Sequence, residues 1–351
     1  MARILFWQLV RTGLAIWALA SAVFLLSYRD TKTAVQLALP NATDLTSATA
    51  PADQLAAQQA TRKRLGLALP LFYVGRGEVS NLKKWQWHGG HNQYHLWAVR
   101  LVHGDLGTSF RTGQAVSHQL RTALALTLPL TGTAAVVAVA AALALAQRLA
   151  ARPWWHRPVR SLLVGLHTLP LFVLALALLL VFANPEVLAW FPAYGFDQAS
   201  EEAVGFSSRL LDYAMHLALP VAALVISALP DLTLQLESAL IQEMAADYAT
   251  TARAKGLSEG AVIRRHALRN ALLPTITQVA QLLPALVAGA VVVEVVFALP
   301  GMGRLLADAA AARDYPVLVG GILLTGLARL LALLLADLFY LWADPRIRWQ
   351  S

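Results

Sequence analysis

Ionisable side chains inside long apolar segments are the first candidates for chemistry in this 351-residue sequence. Asp231, Glu294 and Asp337 each lie within, or near the end of, a segment that is otherwise almost entirely apolar. Such groups are costly at membrane depth, so they face a polar cavity, pair with a neighbouring helix or lie nearer the membrane surface. Glu294 is better placed to satisfy N–H groups of the Pro300–Gly301 turn, whereas Asp231 is the stronger candidate for contact with a solute. The residues that we assign to a translocation path or gate are Asp231, Glu294, Pro300, Gly301 and Gly303.

Three histidines, His88, His91 and His95, have a spacing that is compatible with a metal site. Gly89 and Gly90 oppose a continuous helix there and no carboxylate is close in sequence, so we favour an aromatic cluster formed with neighbouring tryptophans. The chain has no cysteine, which excludes a thiol nucleophile. It also lacks the glycine-rich phosphate loop and the signatures of zinc proteases and serine hydrolases. We therefore predict no catalytic centre, no metal and no cofactor bound by this chain.

Composition places the chain in a membrane. It is 58% hydrophobic and 14% charged, whereas soluble domains carry about a quarter charged residues. The net charge of +8 is typical of cytoplasmic anchoring by Lys and Arg, and we expect no nucleic-acid partner. A membrane span needs about 20 mostly apolar residues. Six segments qualify, at residues 9–28, 120–146, 161–183, 213–236, 273–298 and 317–340.

The charges of the short loops predict the orientation of these spans. Loop 147–160 contains four arginines and no acid, whereas loop 184–212 contains five acids and one arginine. Because positive residues stay in the cytoplasm, the first loop lies inside and the second outside, and six spans then place both termini inside. The fold class is an all-α, polytopic membrane helix bundle. It comprises an N-terminal arm, 1–28, an extracytoplasmic segment, 29–119, with a short helix at 53–65, and a core, 120–351.

The first apolar segment, 9–28, can also be interpreted as a signal peptide. The tripeptide Ala18–Leu19–Ala20 also fits a signal-peptidase site. Cleavage there would leave the topology of the remaining spans unchanged, so the charge pattern leaves open whether this span is retained.

The cytoplasmic segment 237–272 is mixed in charge and helix-prone. Asp247 to Lys255 is predicted to be a helix that Gly256 ends in a left-handed cap. Ser258 then caps a second helix, 259–270. A helix, a glycine turn and a second helix that project from the membrane plane form a suitable docking element for a partner.

This element also carries a family resemblance. Residues 247–259 read DYATTARAKGLSE and residues 264–274 read RRHALRNALLP. They resemble the cytoplasmic loop of bacterial binding-protein-dependent ABC permeases, within the dipeptide and oligopeptide branch and its first permease type. Thr250 and Thr251 replace the Glu and Ala of the general pattern, a departure that this branch shares. Other similar motifs are GDLGTS at 104–109, EVVF at 294–297, PGMG at 300–303, RDYP at 313–316, DLFY at 337–340 and DPRIR at 344–348.

The resemblance implies a permease subunit with the type I ABC importer fold, in the bacterial cytoplasmic (inner) membrane. Such a subunit imports peptides or similar small solutes by alternating access. It implies as partners ABC ATPase subunits that use ATP, an extracytoplasmic solute-binding protein and a second permease chain, which in this family is often a different one. The expected ATPase-coupling residues are Asp247, Tyr248, Ala252, Arg253, Ala254, Lys255, Gly256, Leu257 and Ser258.

Two alternatives remain at the level of the sequence: a secondary transporter or channel without an ATPase, which the intramembrane carboxylates favour, and a membrane scaffold that transports nothing. A double variant, Gly256→Pro with Ala252→Asp, is expected to separate the importer from both. It should release a bound ATPase by breaking the helices and placing a charge on the docking face.

Overall fold

The computed structural model describes residues 2–28, 59–60, 69–79, 82–151, 154–192 and 206–343. Apart from residues 59–60, the short helix expected at 53–65 lies outside the described residues, as does the motif at 344–348. The chain divides into two compact units. One consists of Leu124–Arg304 and Ala328–Ser351, and the other consists of Ala2–Ala123 and Leu305–Leu327.

Helices form nearly all the regular structure of the described residues, so the fold is all-α apart from one small β-hairpin. Eleven α-helices are described there, and a π-helical segment, Ile263–Ala267, joins the eighth to the ninth. In chain order the α-helices are α1 Ala2–Tyr28, α2 Gln93–Val102, α3 Val116–Ala150, α4 His156–His167, α5 Leu171–Phe182, α6 Phe206–Met244, α7 Asp247–Ala254, α8 Glu259–Val262, α9 Leu268–Val296, α10 Met302–Ala311 and α11 Tyr315–Ala343.

The hairpin is the departure from the all-α prediction. Strands β1, Val74–Val79, and β2, Leu82–Trp87, pair antiparallel, with Val74 opposite Trp87. Beside the hairpin in sequence, Asn92 caps α2, because its side chain accepts the N–H of His95 at 2.7 Å. In the same unit, Phe24 of α1 stacks on Trp97 of α2, with ring centroids 4.8 Å apart. These aromatic contacts, together with Ala20 and Val319, form a small core.

In the larger unit, alanines let long helices pack closely. Ala134, Ala138 and Ala142 of α3 recur every four residues, so they share one face, and all three are buried. Small side chains at this spacing allow neighbouring helix backbones to approach. The same core contains Leu224 of α6 and Val293 of α9.

The helix ends differ from the predicted spans in two places. The segment expected to span at 161–183 is two helices, α4 and α5, bent by 106°. Pro170 lies at the bend, where its ring removes an N–H and disfavours helical geometry at the preceding residue. The second difference is at 259–296, where the chain stays helical through the π segment. The predicted helix at 259–270 and the predicted span from 273 are therefore one helical run.

Two helices in the described part of the chain, Val116–Ala150 and Leu211–Met244, are long and apolar enough to cross a membrane. The bent pair α4–α5 makes a third if it counts as one broken span. Two shorter apolar helical stretches, Val10–Leu25 and Tyr315–Leu331, are also present.

Candidate functional site

The turn between α7 and α8 has the geometry expected from its glycine. Gly256 has φ +84°, a left-handed conformation that costs glycine little and other residues more. Its N–H donates to Arg253 O at 2.8 Å, and the N–H of Leu257 donates to Ala252 O at 3.3 Å. The predicted glycine cap is therefore present. Ser258 precedes α8, but its hydroxyl makes no capping hydrogen bond.

Arg253 ties this turn to both neighbouring helices. Its Nε donates to Glu259 Oε1 at 2.9 Å, and one terminal nitrogen donates to Met244 O at 2.9 Å. The ion pair is partly exposed, so its contribution to stability is small. Its effect is geometric, because one guanidinium joins the end of α6 to the start of α8.

Tyr248 forms a second connection, on the other side of α7. Its hydroxyl donates to the carboxylate of Glu243, and Asn270 Nδ2 donates to Glu243 Oε2 at 3.2 Å. Partial burial, followed by the hydrogen bond to Glu243, raises the pKa of Tyr248. The phenol therefore stays protonated at neutral pH and joins α6, α7 and α9.

The inner face of α7 is part of a hydrophobic core. Ala249 is 0% exposed and Ala252 is 6% exposed, and both belong to a cluster with Leu240, Met244 and Ile263. Ala252 therefore does not lie on an exposed docking face, and the placement expected for Ala252→Asp is wrong. Leu257 is half-buried, and the exposed members of the predicted coupling set are Asp247, Tyr248, Ala254, Lys255, Gly256 and Ser258.

Glu294 is held at the N-terminus of α10. It is 0% exposed; Thr127 Oγ1 donates to its Oε1 at 2.6 Å and the N–H of Arg304 donates to its Oε2 at 3.0 Å. The same Thr127 oxygen accepts the N–H of Met302 at 2.8 Å. A carboxylate is favourable at a helix N-terminus, where N–H groups lack partners inside the helix. Glu294 thus accepts from backbone N–H groups as expected, but from a helix that begins after the Pro300–Gly301 turn.

The two glycines of the PGMG motif are required for close packing. A Cβ on Gly301 would overlap the carboxyl group of Glu294, and one on Gly303 would overlap the backbone of Val291. Pro300 is exposed, and it precedes α10. In the described part of the chain these residues support a buried turn.

Asp231 lies in a different environment. Its Oδ1 is 2.9 Å from His167 Nδ1, and both side chains are 56% exposed. His167 is the last residue of α4, directly before the 106° bend. The structure therefore separates the predicted gate residues into a buried support around Glu294 and an exposed pair at Asp231. The backbone of Asp337 lies in α11, and its side chain is outside the described part of the structure.

A buried cluster around Glu237 was missed by the sequence analysis. Glu237 is 0% exposed; its Oε1 lies 2.7 Å from His156 Nε2 and 3.4 Å from the guanidinium of Arg160. The cluster joins α4 to α6 a short distance before the docking element. The available signal was the spacing of His156 and Arg160, which puts both on one face of a helix. In the prediction of orientation, Arg160 is used only as a loop charge and His156 is not used.

Two of the motifs that carry the resemblance, 104–109 and 313–316, meet within the smaller unit. Ser109 donates to the carboxylate of Asp314, and the N–H of Phe110 donates to Asp314 Oδ1 at 3.1 Å. Asp314 is 2% exposed, so this pairing satisfies a buried acid.

His95, the third of the predicted histidines, lies in an aromatic cluster. His95 Nδ1 lies 3.0 Å from the Tyr73 hydroxyl, and Tyr73 stacks on Trp87 with ring centroids 5.8 Å apart. Among the described residues, no group of three or more His, Asp or Glu side chains is arranged to hold a metal ion.

Several known proteins are similar in sequence to this chain. Residues 134–349 match the model of the family described as the binding-protein-dependent transport system inner membrane component. The oligopeptide transport system permease protein AppB of Bacillus subtilis is 34% identical over 261 residues, 73% of this chain and 80% of its own. The dipeptide transport system permease protein DppB of Alkalihalophilus pseudofirmus is 33% identical over 73% of this chain and 81% of its own. A putative peptide transport system permease protein of Brucella abortus is 34% identical over 72% of this chain and 79% of its own.

The chain belongs to this family of inner-membrane permeases. It is a transport subunit and not an enzyme, and the family implies a separate ATPase that hydrolyses ATP and a binding protein that delivers the solute. Membership excludes the alternatives of a secondary transporter, a channel without an ATPase and a scaffold that transports nothing.

Proposed function

We propose that this chain imports peptides or similar small solutes as one of two different permease subunits in an ABC importer. The printed names of the relatives support the solute class, since they describe permeases of peptide, dipeptide and oligopeptide transport systems. Six spans place both termini in the cytoplasm. Residues 1–28 are a peripheral arm, residues 29–119 lie outside and residues 120–351 form the pore-lining core, in which segment 237–272 is cytoplasmic.

The ATPase docks on the exposed face of α7, at Asp247, Tyr248, Ala254 and Lys255. The observation that carries this assignment is the two-sided character of α7. Its inner alanines are buried in a core shared with α6 and the π segment, while its outer residues are exposed. A partner that moves α7 therefore also moves α6 and α9, which are joined to it by Arg253 and by the Tyr248–Glu243–Asn270 hydrogen bonds. Rigid connections of this kind transmit domain closure, which a flexible loop cannot do.

The translocation path includes Asp231 and its partner His167. Their exposure on the membrane-spanning unit supports this role, because a charged group at that depth needs a polar surrounding. Glu294, Gly301 and Gly303 serve the path indirectly, since their buried contacts hold the turn before α10 in place.

The docking proposal is tested by co-purification of the ATPase with tagged permease from detergent extracts. The double variant Ala254→Asp with Lys255→Glu changes only exposed side chains, so the permease should remain monodisperse and lose the ATPase. Glu186→Lys, a charge reversal in the proposed outer loop, is the matched control and should retain it. Full retention by the double variant would place the ATPase contact elsewhere.

A further inference from the structure

A groove of about 330 Å³ lies beside the docking element, between the C-terminal end of α3 and the π segment. Gln147, Arg148 and Arg264 provide its polar lining, and Ala144 and Ile263 are among its apolar lining residues. The volume falls within the range of about 300–1,000 Å³ that is usual for ligand pockets. Neither the docking of α7 nor the Asp231 pair uses this groove.

The groove is electropositive. Arg148 and Arg264 are exposed, no acid lines the groove, and neither arginine forms an ion pair within the described part of the chain. Gln147 Nε2 donates to Leu143 O at 3.0 Å, which fixes the orientation of its amide. Two guanidinium groups without a carboxylate favour an anionic ligand, and the planar fork of arginine matches phosphate oxygens well.

The π segment contributes to this arrangement. It runs from Ile263 to Ala267, both of which are buried, while the three residues between them are exposed. Single π turns occur frequently at functional sites, because they alter the direction of side chains on a helix. Arg264 lines the groove and the adjacent Arg265 does not, so the two arginines provide a matched comparison.

We propose that this groove binds the phosphate group of an anionic phospholipid from the cytoplasmic leaflet. The inference rests on the proposed orientation, in which α3 leaves the apolar layer near Ala146 and the arginine-rich loop begins at 147. Phospholipid headgroups occupy that depth, and basic pockets between membrane helices on the cytoplasmic side bind anionic headgroups. Ala144 and Ala151, which are both exposed, provide apolar surface for the beginning of an acyl chain. An acidic side chain of the ATPase is less suitable, since the groove is lined by the membrane end of α3 and contains no residue of the docking helix α7.

The test is titration of the purified transporter complex with cardiolipin, followed by native mass spectrometry, with phosphatidylcholine as the neutral reference. Arg148→Gln with Arg264→Gln should weaken cardiolipin binding about thirtyfold, because each basic residue near an anionic surface contributes about fivefold. Arg265→Gln should change it less than twofold, and Arg148→Lys with Arg264→Lys should recover most of it. Unchanged cardiolipin binding by the double glutamine variant would overturn the proposal.

Two further measurements separate the lipid from other ligands. Inorganic phosphate should not displace cardiolipin at millimolar concentration, and efficient displacement would assign the groove to a soluble anion instead. ATPase co-purification should be retained by the double glutamine variant; its loss with unchanged lipid binding would assign the groove to the ATPase and overturn the lipid proposal. Absence of an ATPase from the unsubstituted complex would instead contradict the docking proposal and leave the lipid titration intact.

Discussion

At the scale of single residues, the hydroxyl of Thr127 holds the turn before α10 through two buried hydrogen bonds. It donates to Glu294 Oε1 and accepts from the N–H of Met302, so Thr127→Val removes the Thr127 partner of both of these buried polar atoms. Each such loss costs about 1–3 kcal/mol, and we expect a lower midpoint of thermal unfolding in detergent. Thr127→Ser keeps the hydroxyl and is the control. A valine variant as stable as the unsubstituted protein would show that the turn is satisfied in another way.

The Asp231–His167 pair gives a prediction about transport rather than stability. Asp231→Asn should lower peptide uptake by reconstituted vesicles several-fold while ATPase co-purification is unchanged, because the carboxylate is exposed and contributes little to folding. Asp212, on the same helix, is an aspartate of similar exposure that also faces a histidine, since it lies 3.4 Å from His216 and its side chain is 59% exposed. Asp212→Asn should leave uptake unchanged. Equal effects of the two substitutions would remove Asp231 from the path.

Sequence reasoning at this scale succeeded where partners are close along the chain. The role of Glu294 as an acceptor of backbone N–H groups was foreseeable, because the turn follows it within a few residues. Its bond to Thr127 crosses 167 residues, and the bond from His156 to Glu237 crosses 81. No spacing rule connects residues so far apart, since helix packing decides which faces meet.

At the scale of elements, glycine and proline residues indicated where helices end or bend, whereas hydropathy did not indicate where one helix continues into the next. Gly256 marked the end of α7 because only a left-handed residue closes such a cap, and Pro170 marks the bend between α4 and α5. Hydropathy alone missed that bend, since the apolar residues of 161–166 were joined with the far more apolar α5 into one segment. The sequence also predicted a helix at 259–270 and a separate span from 273, whereas α8, the π segment and α9 form one helical run from 259 to 296.

The left-handed turn at Gly256 is expected to be needed for ATPase docking. A Cβ there would meet no atom within 4 Å, so Gly256→Ala changes only the backbone preference, at a cost of about 1–2 kcal/mol. We expect weaker ATPase co-purification and lower peptide uptake, with normal yield of the permease. Gly256→Asn should retain more of both, because asparagine tolerates the left-handed region better than alanine. An alanine variant with full activity would show that docking does not need this turn geometry.

At the scale of the whole molecule, composition predicted a membrane protein and the ordered motifs predicted the family, and the family match and the relatives confirm both. Two properties made this possible. A deficit of charged residues is averaged over all 351 residues, so it does not depend on the correct assignment of any one segment. An ordered series of short motifs identifies a family even where each motif is weak. Neither property specifies which helix faces pack together, so the Glu237 cluster and the arginine groove required the structure.

The orientation of the chain supplies the last prediction. The natural sequence contains no cysteine, so each single cysteine substitution reports the location of one residue. Glu186→Cys lies in the loop that its acids place outside, and Ser258→Cys lies in the docking turn that must face the ATPase. A membrane-impermeant maleimide applied to spheroplasts should label the first variant at once and the second only after permeabilisation, while the cysteine-free protein stays unlabelled. The reverse pattern would invert the topology, and with it both the α7 dock and the lipid groove would lose their cytoplasmic placement.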